Sequence, residues 1–328
     1  MRALVLNGIQ DWSIQEVPEP QARADEVILE VAGCGMCGTD LHTLTGGNKL
    51  VRFPAVPGHE FGGTVLSVGR EVDWLRAGQR VVVDPSYSCG HCAQCQAGRG
   101  NLCPDKGGYG SRFPGGFAQR VAVRARSCVP VPDDLEWNVA LLAEPLACVL
   151  HGVDRLGATV GRDAIVFGAG PIGLLTAILL RRQGSQVSIV ESSDFRRAVV
   201  ARHGFDAVAR VPEELPEPSA DVTVDATGVP AAIESAFAAT RRGGSLLLMG
   251  VAHAGATVTL SPHLINWHEL TIIGSMAVNN SFHRAVTLLG ALATELIGFV
   301  TDTVPLDDFG QALDLVTSQR SLKVLVRP

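Results

Sequence analysis

The sequence has no apolar run suited to crossing a bilayer. Its one long uncharged stretch, residues 164–180 (AIVFGAGPIGLLTAILL), lies near the lower length limit for a span and is broken by Gly-Ala-Gly-Pro, which suits a buried strand, a tight turn and a helix. Nor does the start of the sequence read as a secretory signal. The start, MRALVLNGIQDW, offers a short apolar run and no small-residue cleavage site, so it reads as a first strand and a cytoplasmic protein is expected. Positive charge is in deficit: 33 acidic against 27 basic residues leave a net charge of −6. That balance gives no attraction to phosphate backbones or anionic lipid, so neither nucleic acid nor a membrane is expected as a partner. There is no internal repeat, low-complexity tract or coiled-coil heptad. With 46% hydrophobic and 18% charged residues, disorder is excluded as well.

What is present is a chain of 328 residues, more than one hydrophobic core usually serves. Residues 1–147 are rich in short β-like segments such as VILEVAG and GQRVVVDP, separated by Gly, Pro and Asp turn signals. A helical period first shows in LEWNVALLAEPLACVLHGVDRL. From about residue 163 buried apolar strands alternate with helical stretches, VPAAIESAFAATRRG among them, in the pattern of a doubly wound parallel sheet. The fold class is therefore α/β, with a β-rich domain over 1–147 and a dinucleotide-binding domain over 148–276. Residues 277–328 contain a helical SFHRAVTLLGALATELI and a β-like KVLVRP, and are expected to return to the first domain.

Gly168, Gly170 and Gly173 form G-x-G-x-x-G directly after the strand AIVF. The first glycine permits the turn, the second lets backbone approach a pyrophosphate, and the third lets helix pack on strand. Pro171 and Ile172 open the helix, whose N-terminus offers free N–H groups to phosphates. Glu191 ends the next strand, VSIVE, where a carboxylate can bind both hydroxyls of an adenine ribose and repel a 2′-phosphate. NAD is therefore expected in preference to NADP, although Arg196 and its neighbour Arg197 add positive charge there. Thr227 in DATG, and Gly250 and Val251 in MGV, end later strands at the same carboxyl edge.

Eight cysteines in a cytoplasmic chain point to metal or catalysis before disulfides. Cys89, Cys92, Cys95 and Cys103 lie in a C-x2-C-x2-C-x7-C array whose Gly-rich loops can fold four thiolates round one ion. Tetrahedral zinc in a closed, structural site is the reading, with an iron–sulfur cluster or a disulfide loop as alternatives. His91, inside the array, reads as a loop residue. A second set is dispersed: Cys37 in CGTDLH, His59 and Glu60 in PGHEFGG, and Glu144 in LAEPLAC. Cys, His and carboxylate are the usual partners of a catalytic zinc with one replaceable position. Adjacent residues of a regular strand face opposite ways, so either the chain bends, as Gly58 can allow, or Glu60 binds the metal only in some states and yields its place to water or substrate.

The combination of CGTDLH, GHEFGG, the four-cysteine lobe, EPLAC and GAGPIG resembles the zinc-dependent medium-chain dehydrogenase/reductases, in their polyol and threonine dehydrogenase-like branch. The likeness runs over nearly the whole chain. It implies a GroES-like catalytic domain carrying two zinc ions, one catalytic and one structural, and a Rossmann domain, with the active site between them. It implies Cys37, His59 and Glu60 as catalytic zinc ligands, and Glu144 as a ligand directly or through water. Asp40 matches the carboxylate that fixes the tautomer of the zinc-bound His59. Thr39 and His42 match a proton relay, and Cys148 a nicotinamide contact.

The implied chemistry is hydride transfer to NAD from an alcohol whose O–H has been acidified, since zinc lowers the pKa of bound water from about 15.7 to about 7. The expected partner is a small-molecule alcohol or ketone: a polyol, sugar, cyclitol or aminocyclitol, or, as the alternative, the hydroxyl of an amino acid such as threonine. A nucleotide-binding zinc redox sensor is the non-enzymatic alternative. A homo-oligomer, tetramer or dimer, is expected from the branch.

Overall fold

The computed structural model describes residues 1–46, 50–205, 208–210, 214 and 220–328. The chain divides into two units, Met1–Ala147 with Val278–Pro328, and Cys148–Ala277.

The first unit is built on the strand Glu26–Met36, whose Val27, Leu29 and Val31 are buried in an apolar core. It pairs antiparallel with Glu60–Val68, Arg120–Arg124 and Val324–Arg327. The register sets Gly35 opposite Glu60 and Met36 opposite Val324. Three chain positions distant in sequence therefore meet at one end of the sheet: Cys37 just past its strand, Glu60 opening its own, and Lys323 just before the last. Phe309 in the C-terminal helix Phe309–Thr317 packs edge-on against Trp12 and Phe117, with ring centroids 5.2 and 5.3 Å apart. Each such buried ring contributes roughly 1.5–3 kcal/mol, which ties the returning segment to the amino-terminal strands.

The second unit is a parallel sheet of six strands in the order 208–209, 186–190, 163–167, 220–225, 240–248, 271–274. Numbered along the chain this is 3-2-1-4-5-6, the order of dinucleotide-binding sheets. Ala164, Ile165, Val166 and Phe167 are all buried, as expected of a strand covered by helices on both faces.

Three helical stretches are shorter than their apolar patterns suggest. The segment LEWNVALLAEPLACVLHGVDRL splits into Trp137–Ala140 and Ala143–Leu156. Pro145 has no N–H for the carbonyl four residues back, so the helix must restart just before it. The helix Pro230–Ala239 stops before TRRG, because Thr240 opens the next strand and its buried hydroxyl bonds Ala236 O and Thr223 Oγ1. In SFHRAVTLLGALATELI the helix covers Phe282–Leu292, and the rest is turns. No helix among the described residues is long and apolar enough to cross a membrane.

Candidate functional site

Cys37 caps the helix Gly38–Leu44. Its sulfur accepts from Thr39 N at 3.2 Å, and its own N–H donates to Asp40 Oδ2 at 3.0 Å. His59 stands outside the strand that Glu60 opens, and Gly58, at φ +93°, supplies the bend between them. The ligand atoms of Cys37, His59 and Glu60 thus lie within 4.8 Å of one another. A methyl group at Gly58 would come 2.7 Å from Cys34 Sγ and 3.0 Å from the Phe117 ring. Gly58→Ala is therefore expected to lower both stability and metal content, read by denaturant unfolding and metal analysis; an unchanged zinc content would show that the bend is dispensable.

The electrostatics of this cluster are those of a place made for a cation. Burial works against a charged His59, yet the neighbouring Cys37, Asp40 and Glu144 outweigh it and hold its pKa well above the ordinary value. His59 Nδ1 is 3.8 Å from Asp40 Oδ1, which leaves Nε2 for a metal. Asp40 is buried, and that burial raises its pKa against the pull of His59. Thr39 is exposed and His42 half-buried, one helical turn apart on the same face. Glu144 lies outside the three-residue cluster, although its charge is felt by both His59 and Lys323.

The sequence reading missed Lys323. Its side chain is 1% exposed, forms an ion pair with Glu60, itself 3% exposed, and donates to Met36 O at 3.0 Å. Burial disfavours its charge, but Glu60 and Cys37 overcome that and raise its pKa. Glu60 Oε2 makes no hydrogen bond of ordinary geometry, so its partner is a point charge that a metal ion can replace. The available signal was a lysine inside the apolar run LKVLV, since lysine is almost never fully buried unless paired.

In the second cluster, Cys92 and Cys95 sulfurs are 3.5 Å apart, and Cys89–Cys95 and Cys92–Cys103 are each 3.9 Å. Four sulfurs about 2.3 Å from one tetrahedral ion stand about 3.8 Å from each other. The geometry leaves room for a single ion and is far longer than a disulfide bond; all eight cysteines are free. N–H groups of His91 and Cys92 lower the Cys89 pKa to about 6, which favours the thiolate form that binds metal. His91 turns its Nδ1 to the Cys89 carbonyl, 2.9 Å away, and is not in the four-sulfur group.

The carboxyl edge of the parallel sheet carries the remaining candidates. Gly168 has φ +93°, and a side chain there would strike Thr227 Cγ2 at 2.6 Å. A Cβ at Gly173 would overlap Gly168 O, whereas one at Gly170 would meet only Arg196 Nη1, at 3.9 Å. The open space is thus at the second glycine, in front of the helix Pro171–Arg182, whose N-cap has no side-chain bond. Half-buried Ile172 lies in its first turn. Glu191 is buried, its carboxylate oxygens each accepting an N–H at 2.8 Å, from Ala169 and Ser193, with Arg196 Nη1 at 4.0 Å. It therefore ties the glycine turn to its own strand and retains free lone pairs for a ligand. Arg197 is occupied by Glu191 O, Ser192 O and Asp194.

Asp225 is fully buried and binds Thr227 N at 2.9 Å, Thr227 Oγ1 at 2.6 Å and Gly228 N at 3.1 Å. Its main-chain oxygen accepts from Met249 and Gly250, so one residue fixes both edge loops. Val251 is 70% exposed beside them, and Cys148 is half-buried on its helix. Leu44 and Tyr109 lie in the apolar core, where the Tyr109 hydroxyl accepts from Arg124 N at 2.7 Å.

A β domain with a Cys-His-Glu cluster and a four-sulfur lobe, followed by a glycine-turn parallel sheet, defines a zinc-dependent dehydrogenase of the alcohol dehydrogenase type. The family comparisons carry this further. Residues 23–133 match the alcohol dehydrogenase GroES-like domain and residues 137–327 the glucose dehydrogenase C-terminus. The chain is 35% identical to D-arabinitol dehydrogenase 1 of Uromyces fabae, over 100% of this chain and 97% of that one. A structure described as a zinc-binding dehydrogenase of Sinorhizobium meliloti bound to NADP superposes with TM-score 0.93 at 32% identity, covering 100% and 99% of the two chains. An Escherichia coli alcohol dehydrogenase complexed with NADH gives TM-score 0.91 at 26% identity, with the same coverage. The chain belongs to the zinc-dependent medium-chain dehydrogenase/reductase family, and it is an enzyme of the alcohol and polyol dehydrogenase class.

Proposed function

We propose that this enzyme oxidises a secondary alcohol of a polyol, sugar, cyclitol or aminocyclitol to the ketone, reversibly, with NAD as hydride acceptor and two zinc ions per chain. The observation that carries the reading is the convergence of Cys37, His59 and Glu60 within 4.8 Å beside an anion-rich surround. Zinc bound there would supply Lewis acidity toward a hydroxyl or carbonyl oxygen, and NAD the hydride acceptor.

The rest falls to the chain's own side chains. Cys37 and Glu60 bring two negative charges and His59 none, which balances a dication while keeping one hard oxygen donor. That donor set tolerates a substrate offering two oxygens, in keeping with the polyol relative. The Asp40 carboxylate lies on the Nδ1 side of the His59 ring, 3.8 Å away, where its charge favours a proton on that nitrogen. Thr39 accepts the alcohol proton as its own hydroxyl proton leaves toward His42, which passes it to solvent. Glu144 joins through water, since it stands apart from the three. The sulfurs of Cys89, Cys92, Cys95 and Cys103 close their shell completely, so that ion is structural.

For the cofactor, Gly170 and the helix start at Pro171 receive the pyrophosphate. The buried Glu191 carboxylate accepts the ribose hydroxyls and disfavours a 2′-phosphate. Thr227, Gly250, Val251 and Cys148 line the nicotinamide side, and Arg196 the adenosine side. A homo-oligomer working in the cytoplasm fits the same reading. A panel of polyols, cyclitols, aminocyclitols and threonine, followed by nicotinamide absorbance with each cofactor, tests it. Polyol-class turnover with NAD is expected; turnover confined to threonine, or a clear preference for NADP, would overturn the substrate or the Glu191 assignment.

A further inference from the structure

In the first unit a polar basin of about 450 Å³ is lined by Arg52, Lys106, Ser111 and Arg112 with Leu50 and Phe113, and none of its lining residues belongs to either metal-ligand cluster. Its volume is in the range of small-molecule sites. Three cations face one carboxylate, Asp105, so the basin holds two surplus positive charges in a chain whose net charge is −6. The cations are not equivalent. Arg112 is engaged, bonding Asp105 Oδ1 at 2.7 Å and lying 4.8 Å over the Tyr87 ring. Among the described residues, the charged ends of Arg52 and Lys106 have no hydrogen-bond or ion partner. Arg124 stacks 5.3 Å from the Phe113 ring and adds further positive potential behind the floor.

We propose that this basin binds a phosphate group. A surplus of two positive charges matches a phosphate near neutral pH, and an arginine fork beside a lysine is the donor pair that suits its oxygens. Ser111 and Phe113 also line an adjoining cavity of about 260 Å³ that Val5 and Val17 help to wall, so an organic phosphate has room beyond its charged end. The loop is placed to matter for the metal cluster. Gly115 N donates to Val56 O at 2.8 Å and Gly116 N to Gly58 O at 2.9 Å, which braces the turn that presents His59.

The site is read by calorimetric titration of inorganic phosphate into the whole protein, at constant ionic strength with chloride as control, beside the double variant Arg52→Ala/Lys106→Ala. Both substituted side chains are outside the core, and circular dichroism confirms the variant's fold. Saturable binding is expected in the wild type, weakened about tenfold or more in the variant, since a hydrogen bond to a charged group is worth about 1.5–3 kcal/mol. No saturable binding, or equal affinity in the two proteins, as phosphate held at the zinc or the glycine turn would give, overturns the proposal. In steady-state kinetics, phosphate competitive with the alcohol assigns the group to a phosphorylated substrate, and non-competitive behaviour assigns it to a separate ligand; either supports the site only if the double variant loses it. The calorimetry is independent of turnover, so it stands or falls apart from the proposed dehydrogenase reaction.

Discussion

Cys37→Ser is expected to lower kcat by about a thousandfold or more, because the Lewis acid at stake is worth several kcal/mol of transition-state stabilisation. Serine keeps the size and the capping of the helix Gly38–Leu44 but not the thiolate. NAD affinity should change by no more than about twofold, since the glycine turn and Glu191 belong to the other unit. The paired control is Cys34→Ser. Cys34 is fully buried, and burial together with Asp40 and Glu60 pushes its thiol well above the usual range. A working dithiol would make the two variants equally inactive; a Cys34 variant that retains turnover while Cys37→Ser does not assigns the chemistry to one cysteine. Substantial activity in Cys37→Ser would refute the zinc-centred reaction.

Lys323→Met should carry the largest stability effect. It leaves Glu60 as a buried carboxylate without its counter-charge, a change that costs about 3–5 kcal/mol. The loss should be greatest in protein stripped of metal and smaller after zinc is added, because a cation beside Glu60 supplies the missing charge. The double variant Lys323→Met/Glu60→Gln should regain much of the stability, since it removes both charges instead of stranding one. Denaturation midpoints of the wild type, Lys323→Met and the double variant, with and without zinc, measure this coupling. Equal losses in the single and double variants would mean that Lys323 acts by packing alone.

The two halves of the site differ in how far they could be read in advance. The four cysteines and the three glycines are local patterns: a sharp loop and a strand–turn–helix are specified within a few residues, and the sulfur spacing and the Gly168 turn follow from that. The parity of a strand raised the bend as one of two readings, with Gly58 as its candidate, and Gly58 has φ +93°. The run LKVLV could have flagged Lys323 as a buried, paired lysine, but not its partners: Met36 lies 287 residues away, and only the pairing of the strands Glu26–Met36 and Val324–Arg327 brings them together. Glu191 was legible as an acid at the right spacing. That its oxygens also hold Ala169 and Ser193 depends on the rotamer the folded turn selects. The apolar patterns ran on where the helices do not, across the break between Ala140 and Ala143 ahead of Pro145 and past Ala239 into the strand that Thr240 opens, and there backbone hydrogen bonding decided the outcome.

The central claim is that two clusters, not one, bind zinc. Elemental analysis of the purified protein, extensively dialysed and set beside Cys37→Ser, tests it most directly. Two zinc ions per wild-type chain and one in the variant are expected. One ion per wild-type chain, unchanged in Cys37→Ser, would confine zinc to Cys89, Cys92, Cys95 and Cys103 and contradict the catalytic assignment of Cys37, His59 and Glu60.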